Sequence, residues 1–231
     1  MDYPRRQIKW TRYAVQVAVL AICAWAGWQF YHFVLHYAHP SAPPGVRPPS
    51  VEGFLPIGGF MALKYFLLTR IIDPIHPAGF IIFAGALLTA LFARKGFCSW
   101  VCPVGSLSEY AWRLGRKITG RVWRLPKWAD YTLMSPKYLI MGAFFFVIGI
   151  TMTPTMILMF FIQDYYKIVD VKMLMFFLDP SMLAASVVIA LTATSLFVPN
   201  FWCRYLCPYG ALLGLLAYAS PLKVSRNPEA C

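Results

Sequence analysis

Charge is scarce in this chain of 231 residues: 13% of positions are charged, against 59% hydrophobic and 17% aromatic. A soluble domain of this length carries more, so that class is excluded, and the positive mean hydropathy points to a membrane protein. Acidic residues are scarcer still, nine Asp and Glu against 21 Lys and Arg, for a net charge of +12. Histidine occurs four times, and three of the four long apolar stretches hold none within their cores, which argues against a haem ligated by histidines from two spanning helices. No small-residue cleavage site follows the first apolar stretch, so a retained helix is expected there and not a signal peptide.

What is abundant is apolar length. Stretches 13–35, 77–93, 138–162 and 180–202 each approach the roughly 20 residues a helix needs to cross a bilayer. The expected fold is all-α and integral to the membrane, with four transmembrane helices. Placing the N-terminus inside puts all Lys and Arg except Arg47, Lys64, Arg70, Lys167 and Lys172 on the cytoplasmic side, with both termini there. The basic surplus therefore reads as topology and contact with anionic lipid, and no nucleic-acid partner is expected.

The two halves repeat. After the first span come FMALKYFLL, His76-Pro77, a span, and FCSWVCPVG; after the third come VDVKMLMFF, Asp179-Pro180, a span, and FWCRYLCPYG. Both halves end in C-x3-C-P-x-G. Two spans per half give both copies one orientation, a tandem parallel repeat. The expected units are a first membrane repeat (1–105), a cytoplasmic amphipathic connector (106–136), a second membrane repeat (137–222) and a short final segment (223–231). The proline-rich stretch 39–56 reads as an extended loop without a core of its own, and 57–68, too short to span and interrupted by Lys64, as a re-entrant or interfacial helix. Residues 106–128 read as an amphipathic helix on the inner leaflet, with Leu107, Tyr110, Leu114 and Ile118 at helical spacing.

Cys98 with Cys102, and Cys203 with Cys207, stand four apart, so each pair can offer two sulfurs on one face. The proline after each second cysteine biases it out of the α region, and the glycine two residues on lets backbone approach. Four thiolates suit an iron–sulfur cluster, zinc or Cu(I); plain packing and redox disulfide chemistry are the alternatives. Arg94, Lys95 and Arg204 lie close enough in sequence to balance a negative centre.

With these two motifs on a four-span core, the chain resembles the membrane ferredoxin family that includes the quinol-oxidising subunit of periplasmic nitrate reductase, the nitrous-oxide reductase maturation protein and the cytochrome oxidase accessory polyferredoxin. The resemblance implies a bacterial inner-membrane location, a 4Fe-4S or 2Fe-2S cluster on Cys98, Cys102, Cys203 and Cys207, quinone as a further cofactor, and ferredoxin-type or cytochrome redox partners. The family's soluble ferredoxin domain has no C-x2-C-x2-C run here, and Cys231 stands where its first ligand would be, so that domain is expected to be truncated or supplied by another chain.

Several ionisable groups sit in apolar surroundings on the outer side: Lys64, His76, Asp164, Asp170, Lys172 and Asp179. With His32 and His36 (and His39 after them) on the first helix, the quinol-site candidates are His32, His36, Lys64, His76, Asp170 and Lys172. A polar surface fringe and mutual salt bridges are the plainer readings. Cys23, alone in mid-span, reads as a small hydrophobe. The expected function is an electron-transfer subunit, possible quinol dehydrogenase chemistry included, between the quinol pool and iron–sulfur centres. Copper handling by the same cysteines, or an anchor for redox partners, would be the other roles.

Overall fold

The computed structural model describes residues 3–38, 46–120 and 126–222, with side chains from residue 7 onward. Every regular element among these is helical: α1 (Tyr3–Ala38), α2 (Pro56–Thr69), α3 (Pro77–Ala93), α4 (Pro103–Thr119), α5 (Lys127–Phe144), α6 (Pro154–Ile162), α7 (Asp164–Lys167), α8 (Val169–Leu178), α9 (Met182–Phe197) and α10 (Pro208–Leu216). A 3-10 turn covers Pro49–Phe54, and π turns cover Phe97–Val101, Phe145–Thr151 and Trp202–Leu206.

Among the described residues, two helices are long and apolar enough to cross a membrane, Gln7–Tyr37 within α1 and Lys127–Thr151 through α5 and its π turn. Helices α8 and α9 qualify together as a third, bent by 77° at their break, and α3 is a shorter apolar helix. The fold is that of an all-α membrane protein: α1, α3 and α9 fall on three of the four expected stretches, and the helix expected on the fourth is displaced. Prolines explain the difference. The span expected over 138–162 begins at Lys127 and stops at Thr151, because Pro154 cannot donate a backbone bond and Thr153 before it is extended (φ −76°, ψ 161°). Lys64 of α2 reaches the carbonyls this break strands, donating from Nζ to the oxygens of Ile148 (2.9 Å), Gly149 (3.0 Å) and Met152 (2.5 Å). The lysine that interrupts an apolar helix thus ties that helix to the broken end of the second long span.

The expected short helix over 57–68 is α2, packed on α3 so closely that a Cβ on Gly59 would lie 2.7 Å from Phe83 Cβ. The expected amphipathic helix over 106–128 is shorter than its pattern, since Gly120 takes a left-handed φ of 66° and caps α4 after Thr119. Leu107, Leu114 and Ile118 are exposed along α4, while Ser106, Ser108 and Gly115 are buried. A leucine-bearing face open on a basic helix fits the headgroup boundary of a membrane. The proline-rich stretch departs from expectation: residues 39–45 lie outside the described set, but Val51 in the 3-10 turn joins a core with Phe30 and Val34 of α1.

The halves interlock. Helix α4, which leaves the first cysteine pair, packs on α9, which leads to the second; α10, which leaves the second pair, packs on α3, which leads to the first. Helix α1 braces the first π turn and α5 the second. Each crossing draws one cysteine turn towards the other.

Candidate functional site

Each C-x3-C-P-x-G motif folds into the same local form. The helix before it ends, and a residue with positive φ follows, Arg94 (54°) after α3 and Asn200 (53°) after α9. A π turn then carries the first cysteine, closed by Cys102 N–H to the Phe97 carbonyl (2.9 Å) and Cys207 N–H to that of Trp202 (3.0 Å). The second cysteine is extended (ψ 118° at Cys102, 108° at Cys207) and is the N-cap of the next helix, with proline at that helix's first position. At Cys207 the sulfur accepts from the Gly210 N–H at 3.2 Å. Both second thiols therefore lie at helix N-termini. The glycines permit close approach: a Cβ on Gly105 would lie 2.5 Å from the Cys98 carbonyl oxygen, and one on Gly210 would lie 3.4 Å from that of Cys203.

Proline has a second effect. In a continuing helix the carbonyls of Ser99 and Arg204 would accept from residues 103 and 208, and both of those are prolines. Each stranded carbonyl is met by a side chain from the bracing helix. Arg12 Nε (3.2 Å) and Gln16 Nε2 (3.0 Å) of α1 donate to the Ser99 carbonyl, and Lys137 Nζ of α5 donates to that of Arg204 (2.7 Å). Each cysteine turn thus carries a cation behind it. Arg12 also pairs with Glu109, which binds Arg113 in turn. Lys137 is buried, with 6% of its surface exposed, and has no carboxylate within salt-bridge distance among the described residues.

The two pairs face one another across the interlock. Burial pushes the Cys203 thiol up to about 12, and the charges of Cys102, Cys207 and Cys98 add to the shift; Cys98 is pushed up to about 11 by burial, Cys102 and Cys207. All four thiols are free and half-buried. Among the described residues no three His, Cys, Asp or Glu side chains converge on a point that one metal ion could occupy. Four mutually coupled thiols, two at helix N-termini and all backed by cations, suit a multi-iron cluster that spreads its ligands, and a lone ion bound at about 2.3 Å from every sulfur would need them closer.

Comparison with known proteins gives the same chemistry. The 4Fe-4S binding domain family matches residues 75–121 and 178–227, one match on each half of the chain and each containing one cysteine pair. A protein of Escherichia coli (strain K12) named for electron transport, YccM, is 41% identical over 95% of this chain. Protein NirI of Paracoccus denitrificans is 31% identical over 62% of this chain and 20% of its own length. The ferredoxin-type protein NapH of E. coli is 26% identical over 64% of this chain and 48% of its own. Each half of the chain thus carries a 4Fe-4S binding-domain match, and the chain is similar to electron-transport and ferredoxin-type proteins over most of its length. It spans 62% of the length of YccM. No solved structure matches it.

The structure also sorts the remaining candidates. His76 and Asp170 come together with four residues that the sequence did not single out: Arg47, Glu52, Asp73 and Tyr166. Arg47 Nη2 contacts His76 Nδ1 at 2.8 Å, and its Nε lies 2.8 Å from Asp170 Oδ2, an ionic contact without hydrogen-bond geometry. Glu52 lies 3.5 Å from Arg47 and 3.4 Å from His76 Nδ1, and accepts from the Gly79 N–H at 3.0 Å. Tyr166 gives its carbonyl to His76 Nε2 (2.9 Å) and donates its hydroxyl to Asp73 (2.5 Å). Glu52, Asp73, His76, Tyr166 and Asp170 are all buried.

The other candidates lie apart from this network. Lys64 is engaged by the backbone break described above. Lys172 is exposed and sits over the Tyr165 ring, His32 packs edge-on to Trp28, and His36 lies beside Tyr37. Asp164 is exposed and pairs with Lys167. His39 and Cys231 fall outside the described residues. Of the cations expected to balance the cysteines, Lys95 acts on Cys98, whereas Arg204 turns to Asp130. Arg12 and Lys137, distant in sequence, were not among those expected. Their signal was present only as an i−4 rule: a proline strands a carbonyl, and something must answer it.

Proposed function

We propose that this chain is a membrane electron-transfer subunit that passes electrons from quinol to iron–sulfur centres, with one cluster held jointly by Cys98, Cys102, Cys203 and Cys207. The observation that carries this reading is the crossed packing, α4 on α9 and α10 on α3, which sets two identical cysteine turns against each other. A cluster supplies a one-electron store whose potential follows its charge, hydrogen bonds and burial. The chain's own residues would hold it: the second cysteines by helix N-termini, Lys137 and Arg12 by fixing the turns and supplying positive charge. The buried acid–histidine network supports quinol as the donor, because quinol oxidation releases protons that a membrane interior must pass to a base. We place the cysteine turns on the cytoplasmic side of a bacterial inner membrane and ferredoxin-type or cytochrome subunits as the electron acceptors. Iron and sulfide analysis of the purified protein tests the reading. Both present in cluster stoichiometry, with a paramagnetic signal that appears on addition of quinol, is the expected result; copper without sulfide would contradict it.

A further inference from the structure

A small cavity of about 20 Å³, room for one water, lies between the two polar centres of the molecule. On one side it is lined by Glu52 and Gly79, and on the other by Phe97 and Tyr209. Phe97 precedes Cys98 and Tyr209 follows Cys207 by two residues. The Tyr209 ring stacks on Phe83 at 5.5 Å and meets Phe97 edge-on at 6.0 Å, so aromatic contact is continuous from the cavity to the cysteine turns. Gly53 and Pro56, which also line it, are exposed, so the cavity reaches the surface beside α3.

We propose that this cavity is where a quinol hydroxyl is oxidised, its proton leaving through Glu52 to His76 and its electron leaving past Phe97 and Tyr209 towards the cysteines. The inference rests on the quinol reading above and deepens it. The ring itself is far too large for the space, so only a hydroxyl, or one water relaying from it, enters. Each quinol loses two electrons and two protons and becomes quinone. The electrons pass singly to a one-electron iron–sulfur acceptor on the cysteine side; the protons pass singly to the base and from it to outer water.

The proton acceptor of the network is His76; burial pushes the Glu52 carboxyl up, but His76, the Gly79 N–H and Arg47 hold it below the usual carboxylate range, so Glu52 relays the proton and does not keep it. Among the described residues the network holds three acids, Glu52, Asp73 and Asp170, against one fixed cation, Arg47. Arg47 donates to His76 Nδ1, so the ring carries its proton on Nε2, directed at the Tyr166 carbonyl, and Nδ1 is the basic lone pair. Protonation there would exchange the Arg47 contact for one with Glu52, already 3.4 Å away. Burial pulls the His76 pKa down, but the bonds to Glu52 and to the Tyr166 carbonyl outweigh burial and Arg47, and it lies above the ordinary histidine value. The neutral, accepting form therefore predominates only as pH rises through that raised value.

The test uses the purified, cluster-loaded protein in lipid nanodiscs, with decylubiquinol as the donor and cluster absorbance as the signal. Dithionite measures the reducible cluster in every variant. In the wild type, quinol-driven reduction should speed up as pH rises above about 6.5, the ordinary histidine pKa. Glu52→Gln should slow it by about 100-fold, the lower reach of a lost general base. His76→Gln should flatten the pH profile. Gly53→Leu, whose side chain must enter the space between Gly53 and Ile82 (a Cβ alone would meet Ile82 at 3.1 Å), should slow it while leaving the ion network intact. Dithionite-reducible cluster should be unchanged in all three. Wild-type rates and pH profile in all three variants overturn the inference alone. A wild-type cluster that dithionite reduces and quinol does not overturns the quinol reading and the inference together.

Discussion

Lys137 shows what a single residue contributes. A buried lysine without a carboxylate partner is costly unless other groups compensate its charge, and here a carbonyl stranded by Pro208 and the cysteine side of the molecule do so. Replacing it with methionine leaves the Arg204 carbonyl unpaired, a cost of about 1–3 kcal/mol, and removes a positive charge near a negative cluster. Lys137→Met is expected to lower the midpoint potential by about tenfold in the reduction equilibrium, ~59 mV for a one-electron couple. Lys137→Arg should restore most of it. A redox titration of the paramagnetic signal measures both. Neither Lys137 nor Arg12 stood out in the sequence, because basic residues at the inner boundary of a membrane helix are commonplace. Only the three-dimensional crossing shows which of them face a cysteine turn.

At the scale of the element, the C-P-x-G turn was legible before the structure and its consequences were not all so. The extended second cysteine follows from the proline rule and is observed in both copies. The π form of the preceding turn does not follow from spacing, since i, i+4 pairs read as ordinary helix. The two glycines look equivalent in the sequence, yet they differ in how tightly they are held. Gly105→Ala would press a Cβ to 2.5 Å from the Cys98 carbonyl oxygen, whereas Gly210→Ala would stand at 3.4 Å from that of Cys203. The first should lose most of its iron on purification, and the second should keep at least half, by iron content per protein. Prolines also account for the misplaced span: hydropathy continues through 152–154, but the backbone cannot. Glu52 was missed for the opposite reason, since a proline-rich stretch gave no sign that its acid would be buried under α3.

For the whole molecule, the duplicated motif was the strongest signal in the sequence, and the crossed helices give it physical meaning. Neither half can complete a four-sulfur site, and each half's outgoing helix packs on the other's incoming one. Gly115 shows how close that crossing is, with room for no Cβ against the Leu196 carbonyl oxygen, 1.9 Å from where one would sit. The ionisable network and the cysteine turns then lie at separate places along α3, joined by Phe83, Tyr209 and Phe97. On the proposed quinol reading, these two places would take the proton and the electron separately. The central claim is that the two cysteine pairs serve a single cluster. Cluster absorbance and paramagnetic resonance of Cys102→Ala and Cys207→Ala, one variant from each half, test it most directly. Loss or the same alteration of one shared signal in both variants is the predicted result; a wild-type signal persisting unchanged in either would contradict it.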